Sequence, residues 1–473
     1  MTQLHDLTAL EQAVAVRTGA TSSLELVEHY AARIAQHDAA VGAFVTLTLD
    51  TARTQARQAD AAVASGEHLP PLHGVPIGIK DLNLTAGVPT KLGSLSFDDF
   101  VPPFDDYVVT RLRGAGTISL GKTSTPEFGL PCYTEPDVAP PSRTPWDLSR
   151  SAGGSSGGAG TAVASGLLPF AQGSDGGGSI RIPASVNGLF GIKPARGRIS
   201  AGPVIGDITG LAVNGPLART VRDAAALLDA MAGPMPGDPH WAAPHTASYL
   251  SECDHEPGRL RIGRYCDNGL APESLHPEVA VAYERASALL AELGHDVEDI
   301  SSPFDRSLVP AFETVWAVSS AGIPVDPARE AGLRPLTRWL RDRGRACTAT
   351  EFTGALAAMQ LASRAAVVAT AAYDVVLTPT VAQLPAPLGW FQDAGDPRAE
   401  FDRMIGWTPF TAVYNTTGQP AVSVPLHHTA GGLPVGVMLV GRPADEVTLL
   451  RLSAQLEQAA PWVDRHPPIW WPT

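Results

Sequence analysis

Short apolar runs alternate with amphipathic stretches along the whole chain, and this alternation most constrains the fold. Residues 74–83 and 117–120 have strand-like patterns and enclose a helix-like stretch at 107–115. The same order returns near the end of the chain, where an apolar strand pattern at 435–441 precedes a helix pattern at 446–458. Alternating strands and helices pack as layers around one sheet. The sequence therefore predicts an α/β fold, an α/β/α sandwich around a large mixed β-sheet.

The remaining predicted elements follow the same periodicities. Further predicted strands lie at 168–172, 259–264, 374–379 and 420–425. Further predicted helices lie within 5–66 and at 158–166, 220–232 and 277–293. Residues 173–184 form a glycine-rich turn that leads into another helix.

The chain shows no division into separate folding units. It contains no internal repeat and no Pro- or Ser-rich linker long enough to separate two domains. We therefore expect one domain over 1–473, in which the weakly patterned residues 300–410 form a variable region of the substrate pocket. This region carries four tryptophans that fit either a pocket wall or ordinary packing: Trp316, Trp339, Trp390 and Trp407.

Two segments rich in glycine and serine interrupt the alternation, at 151–158 and 174–181. Glycine costs chain entropy on folding, so a dense run indicates backbone geometry or close approach that side chains would prevent. In the second segment three glycines lead directly to Ser179, and their amides can converge on one point. An acyl-transfer enzyme needs such donors for the oxyanion of its tetrahedral intermediate. The pattern predicts Ser179 as a nucleophile beside an oxyanion hole.

A serine nucleophile needs a base, and here a lysine is better placed than a histidine. None of the 13 histidines lies near either glycine segment. The chain has only four lysines, and Lys80 follows the apolar run 75–79. Burial disfavours the ammonium form and can lower a lysine pKa by about 3–5 units, so a neutral Lys80 can accept a proton. Ser155 is then the residue that passes the proton from Ser179 to Lys80.

The composition argues against several other classes of protein. The formal net charge is −14, only 17% of residues are charged and no basic run occurs, which disfavours nucleic acid and anionic membranes as partners. The four cysteines form no C-x-x-C pair, so we expect reduced thiols, no disulfide framework and no metal. The sequence shows no secretory pattern and no stretch of 18 apolar residues, which favours a cytoplasmic protein.

Three motifs together resemble those of the amidase signature family. GVPIGIKDLN carries Lys80, GGSSGG carries Ser155 and GSDGGGSIRIPAS carries Ser179. The gap of 24 positions between the two serines is the family's own, and NTTGQPAVSVP and GLPVGVMLVG near the C-terminus are also similar to it. The segments TEP, PWDLSRSAGG and IKPARGRIS resemble the branch with 6-aminohexanoate cyclic dimer hydrolase, aryl acylamidases and urethane-cleaving amidases.

The resemblance implies an amidase that works through an acyl-enzyme and needs no cofactor. Neutral Lys80 takes a proton through Ser155, Ser179 attacks the carbonyl, and water later frees the acyl group. The expected partner is a small-molecule amide or carbamate, with preference for apolar or aryl groups because the late segments are hydrophobic. A homodimer is compatible with the resemblance.

The family pattern also assigns roles to the neighbours of these residues. The oxyanion would be held by the backbone amides of Gly176, Gly177, Gly178 and Ser179. Supporting roles would fall to Ser156, Asp175 and Arg181. Gly176 departs from the family, which often has a larger residue there, and this departure puts the width of the loop in question.

Two motif matches have structural interpretations that we prefer. GTISLGKT at 116–123 fits a phosphate-binding pattern, but a helix precedes it and Pro126 soon follows, so we interpret it as a strand end. GGSSG at 153–157 fits a nucleophile elbow, but no apolar strand precedes it, which argues against a His-dependent hydrolase. Lys122 and Lys193 are interpreted as structural lysines.

Two other functions remain as alternatives. One is the amidotransferase subunit that acts in Gln-tRNA formation, and the lack of a basic patch and the branch resemblance argue against it. The other is a binding protein without catalytic activity. The complete set of Lys80, Ser155 and Ser179 argues against that second alternative.

Overall fold

A single mixed β-sheet runs through the computed structural model, which describes residues 3–204, 208–267, 269–271 and 274–471. Within these ranges the sheet has eleven strands, in the order β1-β3-β2-β4-β6-β5-β10-β11-β9-β7-β8. The strands are β1 Phe44–Leu47, β2 Pro76–Lys80, β3 Ile118–Thr123, β4 Phe170–Asp175, β5 Phe190–Lys193, β6 Val213–Ala218, β7 Arg261–Arg264, β8 Asp296–Asp299, β9 Val375–Pro379, β10 Ala421–His428 and β11 Pro434–Gly441.

Parallel and antiparallel pairs divide the sheet into regions. Strand β2 is parallel to both β3 and β4, and β7 is parallel to both β8 and β9. The strands between them, from β4 through β6, β5, β10 and β11 to β9, pair antiparallel. Lys80 ends β2 and Asp175 ends β4. Because parallel neighbours end at the same edge of a sheet, both residues lie at one edge.

Helices surround the sheet, and several of them begin at a capping side chain. Thr8 and Glu11 form a capping box at the first helix, and Ser22 and Glu25 form one at the second. The helices are α1 Ala9–Thr18, α2 Ser23–Val41, α3 Leu49–Ser65, α4 Tyr107–Gly114, α5 Gly157–Ala164, α6 Arg181–Asn187, α7 Val221–Met231, α8 Tyr249–Glu252, α9 Pro277–Glu292, α10 Leu308–Ala321, α11 Pro335–Ala346, α12 Ala349–Ala369, α13 Pro397–Trp407, α14 Val413–Thr417 and α15 Glu446–Ala459.

The two faces of the sheet bury different apolar clusters. Alternate strand residues point to opposite faces, so Phe170 packs in a cluster with helices α7, α9 and α15, whereas Ala171 packs in one with α2, α3 and α5. Two further clusters lie among helices α10 to α14. The predicted α/β/α sandwich around a large mixed sheet is therefore confirmed.

The predicted elements match the structure unevenly along the chain. Helices α1, α2 and α3 lie within the predicted helical stretch 5–66, and strands β2, β9, β10 and β11 and helices α4, α5, α7, α9 and α15 lie where the periodicity placed them. The interpretation of 5–66 as purely helical was wrong at Phe44–Leu47, where β1 pairs with β3. Strand β6 was not predicted because its sequence VNGPLA has the composition of a turn, yet it is buried between β4 and β5.

By its length and apolar composition alone, helix α12 could cross a membrane. In its most apolar 18-residue window, 17% of the residues are buried. One side of the helix nevertheless packs on the protein, where Ala355, Met359 and Ala366 join Val315 of α10 in a buried cluster. Length and composition alone therefore do not distinguish α12 from a surface helix with an apolar exposed side.

Candidate active site

Lys80 lies at the centre of a buried hydrogen-bond cluster at the sheet edge. Its Nζ lies 2.8 Å from Ser155 Oγ, 3.0 Å from Ser174 Oγ and 3.1 Å from the Ser174 carbonyl oxygen. Its backbone N–H donates to Gln172 Oε1 over 2.9 Å, which ties the end of β2 to β4. The lysine is therefore fixed at both its backbone and its side chain.

The surroundings of Lys80 favour its neutral form. The side chain is fully buried, and burial lowers the pKa of its ammonium to about 7, with Asp175 partly opposing the shift. A neutral amine is a proton acceptor, whereas an ammonium is only a donor. A lysine with a pKa near neutrality can therefore both accept a proton and return it.

The first glycine segment places Ser155 by close backbone approach. The peptide between Gly154 and Ser155 is cis, and α5 begins two residues later. A Cβ at Gly154 would lie 2.7 Å from backbone atoms of Tyr133, and one at Gly158 would lie 2.3 Å from the amide nitrogen of Ser124. The glycines are thus required because backbone fills the space that side chains would need.

Asp175 organises the turn that carries Ser179. Its carboxylate accepts hydrogen bonds from the amides of Gly178 at 2.8 Å and Ile180 at 3.1 Å, and it pairs with Arg181 at 2.9 and 3.0 Å. Burial alone would raise the pKa of Asp175, but Arg181 and Asn415 beside it hold that pKa well below its usual range. The turn is therefore built around a buried, ionised carboxylate.

The same contacts change the predicted oxyanion hole. We predicted four donors, but the N–H of Gly178 already donates to Asp175, so this residue braces the turn instead. The amides of Gly176, Gly177 and Ser179 donate to no other group in the described part of the chain. These three amides remain as candidate oxyanion donors.

The two serines are close, but their hydroxyls do not yet form the predicted relay. Lys80 contacts Ser155 directly, and the amide of Ser156 donates to the carbonyl oxygen of Ser179 over 3.1 Å. No hydrogen bond joins the Ser155 and Ser179 hydroxyls among the described residues. Catalytic hydrogen bonds often form only when substrate is bound, so the second step of the relay stays a prediction. Ser156 also donates to the Ser174 carbonyl oxygen at 3.1 Å.

Ser179 and Gly177 open onto an apolar cavity of about 100 Å³, which we call the inner cavity. Helices α10 and α13 supply one wall and the segment Leu130–Cys132 supplies another. The other lining residues are Ile182, Leu270, Leu308, Val309, Phe312, Trp316, Phe401, Met404, Ile405, Thr408, Pro409, Ala412, Val413 and Thr416. No charged side chain lines this cavity within the described residues, so it fits uncharged apolar groups.

The four tryptophans within 300–410 were interpreted as either pocket wall or ordinary packing, and the structure shows both. Trp316 lines the inner cavity and stacks on Phe312 with ring centres 5.4 Å apart. Trp407 is buried against Phe391 in the core. Trp339 and Trp390 instead lie under the guanidinium groups of Arg343 and Arg403. Only Trp316 of the four is therefore part of this cavity.

The other candidate residues have structural surroundings. Residues 118–123 form strand β3, and buried Lys122 donates to the Asn83 carbonyl oxygen and the Thr85 hydroxyl, so its interpretation as a strand-end lysine is confirmed. Lys193 is buried and donates to the Pro194 carbonyl oxygen at 3.0 Å. The four cysteines are unpaired thiols. The described residues bring together no group of three His, Cys, Asp or Glu side chains that could hold a metal.

Several residues of the site were not predicted. Ser174 and Gln172 contact Lys80, Asn415 donates to Asp175 at 2.9 Å, and the Thr411 hydroxyl donates to the Gly177 carbonyl oxygen at 2.7 Å. The position of Ser174 beside Asp175 was the available indication, since it lies inside the glycine segment. Asn415 and Thr411 are more than 230 positions away from the turn, and no local pattern connects them to it.

Comparisons with known proteins agree with this fold and site. A sequence model of the amidase family matches residues 25–450. A "Putative amidase" of Synechocystis sp. is 37% identical over 464 residues, which cover 97% of this chain and 89% of the relative. The 6-aminohexanoate-cyclic-dimer hydrolase of Paenarthrobacter ureafaciens is 36% identical over 484 residues, covering 98% and 96% of the two chains.

Solved structures give the same result. The structure of a 6-aminohexanoate cyclic dimer hydrolase complexed with substrate superposes with a TM-score of 0.92 at 33% identity, covering 99% of this chain and 100% of the other. A bacterial aryl acylamidase superposes with a TM-score of 0.89 at 26% identity over the full length of both chains. These similarities define the protein as a hydrolase of amide bonds other than peptide bonds. The chain belongs to the amidase family.

Proposed function

We propose that this enzyme hydrolyses apolar or aryl amides through an acyl-enzyme on Ser179, with Lys80 as base and Ser155 as proton relay. The observation that carries the proposal is the 2.8 Å contact between Lys80 Nζ and Ser155 Oγ. A buried lysine with a pKa of about 7 is suited to this role. Ser179 completes the set because it opens onto the inner cavity beside amides that have no other acceptor among the described residues.

The reaction then proceeds in two halves. Neutral Lys80 takes the Ser155 proton as Ser155 takes that of Ser179, and the Ser179 oxygen bonds to the substrate carbonyl carbon. The amides of Gly176, Gly177 and Ser179 stabilise the oxyanion. The C–N bond breaks as the proton returns through Ser155 to the leaving nitrogen. Water then attacks the ester by the same route and releases the acid and free Ser179.

The substrate class follows from the wall of the inner cavity. Nine of its nineteen lining residues lie between 300 and 410, which supports our proposal that this stretch is the pocket region of a single domain. Its apolar lining favours anilides and hydrophobic amides. Aryl carbamates and esters present the same carbonyl with other leaving groups, and the cyclic amide named for the relative is a further candidate.

A labelling experiment tests the assignment of the nucleophile. A fluorophosphonate probe should label the intact enzyme and Ser251→Ala, a control at an exposed serine of helix α8, but not Ser179→Ala. The same three proteins should be assayed on a panel of aliphatic amides, anilides, aryl carbamates, esters and 6-aminohexanoate cyclic dimer. Hydrolysis that persists in Ser179→Ala, or labelling at another serine, would refute the proposal.

A further inference from the structure

A second cavity, of about 560 Å³, lies beyond the inner one, and we call it the outer cavity. Its lining is charged, in contrast to the wall beside Ser179. Five ionisable residues line it: Arg306, Glu313, Arg343, Arg398 and Asp402. Three guanidinium groups against two carboxylates leave a formal charge of +1 in a protein whose net charge is −14.

The two cavities adjoin along a common wall. Leu270, Val309 and Ile405 line both of them. Helix α10 turns Phe312 and Trp316 toward the inner cavity and Glu313 toward the outer one, as expected for neighbouring faces of one helix. The outer cavity is therefore the neighbouring space that a substrate arm extending from Ser179 past these three residues would enter.

Both carboxylates of the outer cavity are already paired with arginines. Both oxygens of Glu313 accept from Arg398, at 2.8 and 3.0 Å, and one also pairs with Arg343 at 2.6 Å. Both oxygens of Asp402 accept from the same Arg398, at 2.7 and 3.0 Å. The negative charge of both carboxylates is therefore already balanced by guanidinium groups, which disfavours a cationic ligand.

Two guanidinium groups of the outer cavity, those of Arg306 and Arg343, keep unused donors. The guanidinium of Arg306 is exposed and forms no hydrogen bond or ion pair with any other residue in the described ranges. The guanidinium of Arg343 contacts Glu313 through one nitrogen, and its face lies over the Trp339 ring. A planar guanidinium with free N–H groups matches the two oxygens of a carboxylate.

We propose that the outer cavity binds a carboxylate at the far end of the substrate, so that the preferred amides carry an apolar arm with an anionic terminus. This inference rests on the proposed function and names its substrate class. Arg306 is its main specificity-determining residue. The apolar segment fills the space beside Trp316, and the terminal carboxylate reaches the arginines beyond Val309 and Ile405.

Paired substrates test the proposal directly. In the first series the carboxylate is at the end of the acyl group: ω-carboxyalkanoyl para-nitroanilides of increasing chain length are compared with their methyl esters. In the second series the carboxylate is on the leaving amine: N-acyl para-aminobenzoates are compared with their methyl esters. We expect the carboxylate member of one series to have a kcat/KM higher by about two- to fivefold, with the difference in KM, because an ion pair at a partly solvated site contributes at that level. The preference should weaken with added salt.

Variants of Arg306 assign the effect to the outer cavity. Arg306→Gln should remove the carboxylate preference through KM and leave kcat on the neutral esters unchanged. Arg306→Glu should reverse it and favour probes that end in an ammonium group. Arg338→Gln, which changes an exposed arginine of α11 outside the cavity lining, is the matched control and should keep the preference.

The outcomes separate this inference from the proposed function. If no anilide is hydrolysed by the intact enzyme, or if Ser179→Ala stays active, the proposed function fails. If neutral anilides are hydrolysed but neither series shows a carboxylate preference, the inference alone is wrong. A preference that survives in both Arg306 variants would also overturn it, because the anion would then bind elsewhere.

Discussion

The reaction centre and the two cavities are built by different means. Lys80 and Asp175 lie at the ends of neighbouring parallel strands, and each is held by several short hydrogen bonds. The cavities instead lie between helices α10 and α13, whose side chains meet only in the folded protein. The centre therefore has one fixed geometry, whereas the cavity walls can change in size and charge without moving it.

This difference separates two kinds of effect that variants can have. A change in the reaction centre should reduce the rate on every substrate by a similar factor. A change in a cavity wall should reorder the substrates and leave the best rate almost intact. The following predictions use that contrast, beginning with the largest expected effect.

Replacement of the nucleophile should abolish turnover. Ser179→Ala removes the atom that bonds to the carbonyl, and such changes cost on the order of 10⁵-fold or more in kcat. The loss should be equal for anilides, esters and carbamates in steady-state assays. A loss confined to one substrate class would break the contrast between centre and cavity.

Replacement of the base should cost almost as much and should change the pH profile. Lys80→Ala is expected to lower kcat/KM by about 10³- to 10⁴-fold, the upper part of the range of general base catalysis. In the intact enzyme kcat/KM should rise with pH and reach half its maximum near pH 7, because only the neutral form of a lysine with this pKa accepts a proton.

The pH profile provides the control for that variant. The residual activity of Lys80→Ala should lack the rise near pH 7. Lys91→Ala, at a surface lysine paired with Asp98, should keep both the rate and the profile. An unchanged pH profile in Lys80→Ala would assign the titration to another group.

Loss of the buried carboxylate should weaken both stability and rate. Asp175→Asn leaves the fully buried Arg181 without its countercharge, and breaking a buried pair costs about 3–5 kcal/mol of unfolding free energy. Asp98→Asn at the surface pair with Lys91 should cost at most about 1 kcal/mol. Denaturant unfolding measures both, and equal losses would contradict the central role of Asp175.

A change in the inner cavity should reorder substrates. Trp316→Ala enlarges the space beside Ser179, and we expect KM for small anilides to rise by about tenfold, the effect of losing part of an aromatic contact. Bulky anilides should gain relative to small ones, and kcat should change little. If kcat/KM instead fell by the same factor for every substrate of the panel, Trp316 would act as part of the reaction centre.

The smallest effect is expected at Gly176, where the turn that carries Ser179 meets the wall of the inner cavity. A Cβ at Gly176 would lie 3.3 Å from the Trp316 ring, so Gly176→Ala requires a shift of a few tenths of an ångström and should change kcat/KM by less than about threefold. Gly178→Ala is the contrast, because its φ of +126° and a Cβ 2.3 Å from Thr411 Oγ1 leave no room. Soluble yield and thermal unfolding should distinguish the two.

The sequence predicted the reaction centre better than the cavities for a physical reason. Lys80, Ser155 and Ser179 lie in local patterns, an apolar strand and two glycine segments, whose geometry is encoded by neighbouring residues. The hydrogen bond from the Gly178 N–H to Asp175 was not predicted, because a donor's partner cannot be known before the turn is folded. Trp316 and Trp407 have the same residue type in the same region, and only tertiary packing decides that one lines the cavity and the other the core.

The position of the reaction centre on the inner strands of the sheet has a consequence for how the enzyme fails on warming. Hydrogen bonds of a central sheet open only with the whole fold, whereas surface helices exchange through smaller, local openings. Helices α10 and α13 lie outside the hydrogen-bonded sheet, so their amides should exchange with solvent before those of β2 and β4. Near its melting temperature the enzyme would thus lose its selectivity between substrates first, and its ability to cleave any of them last.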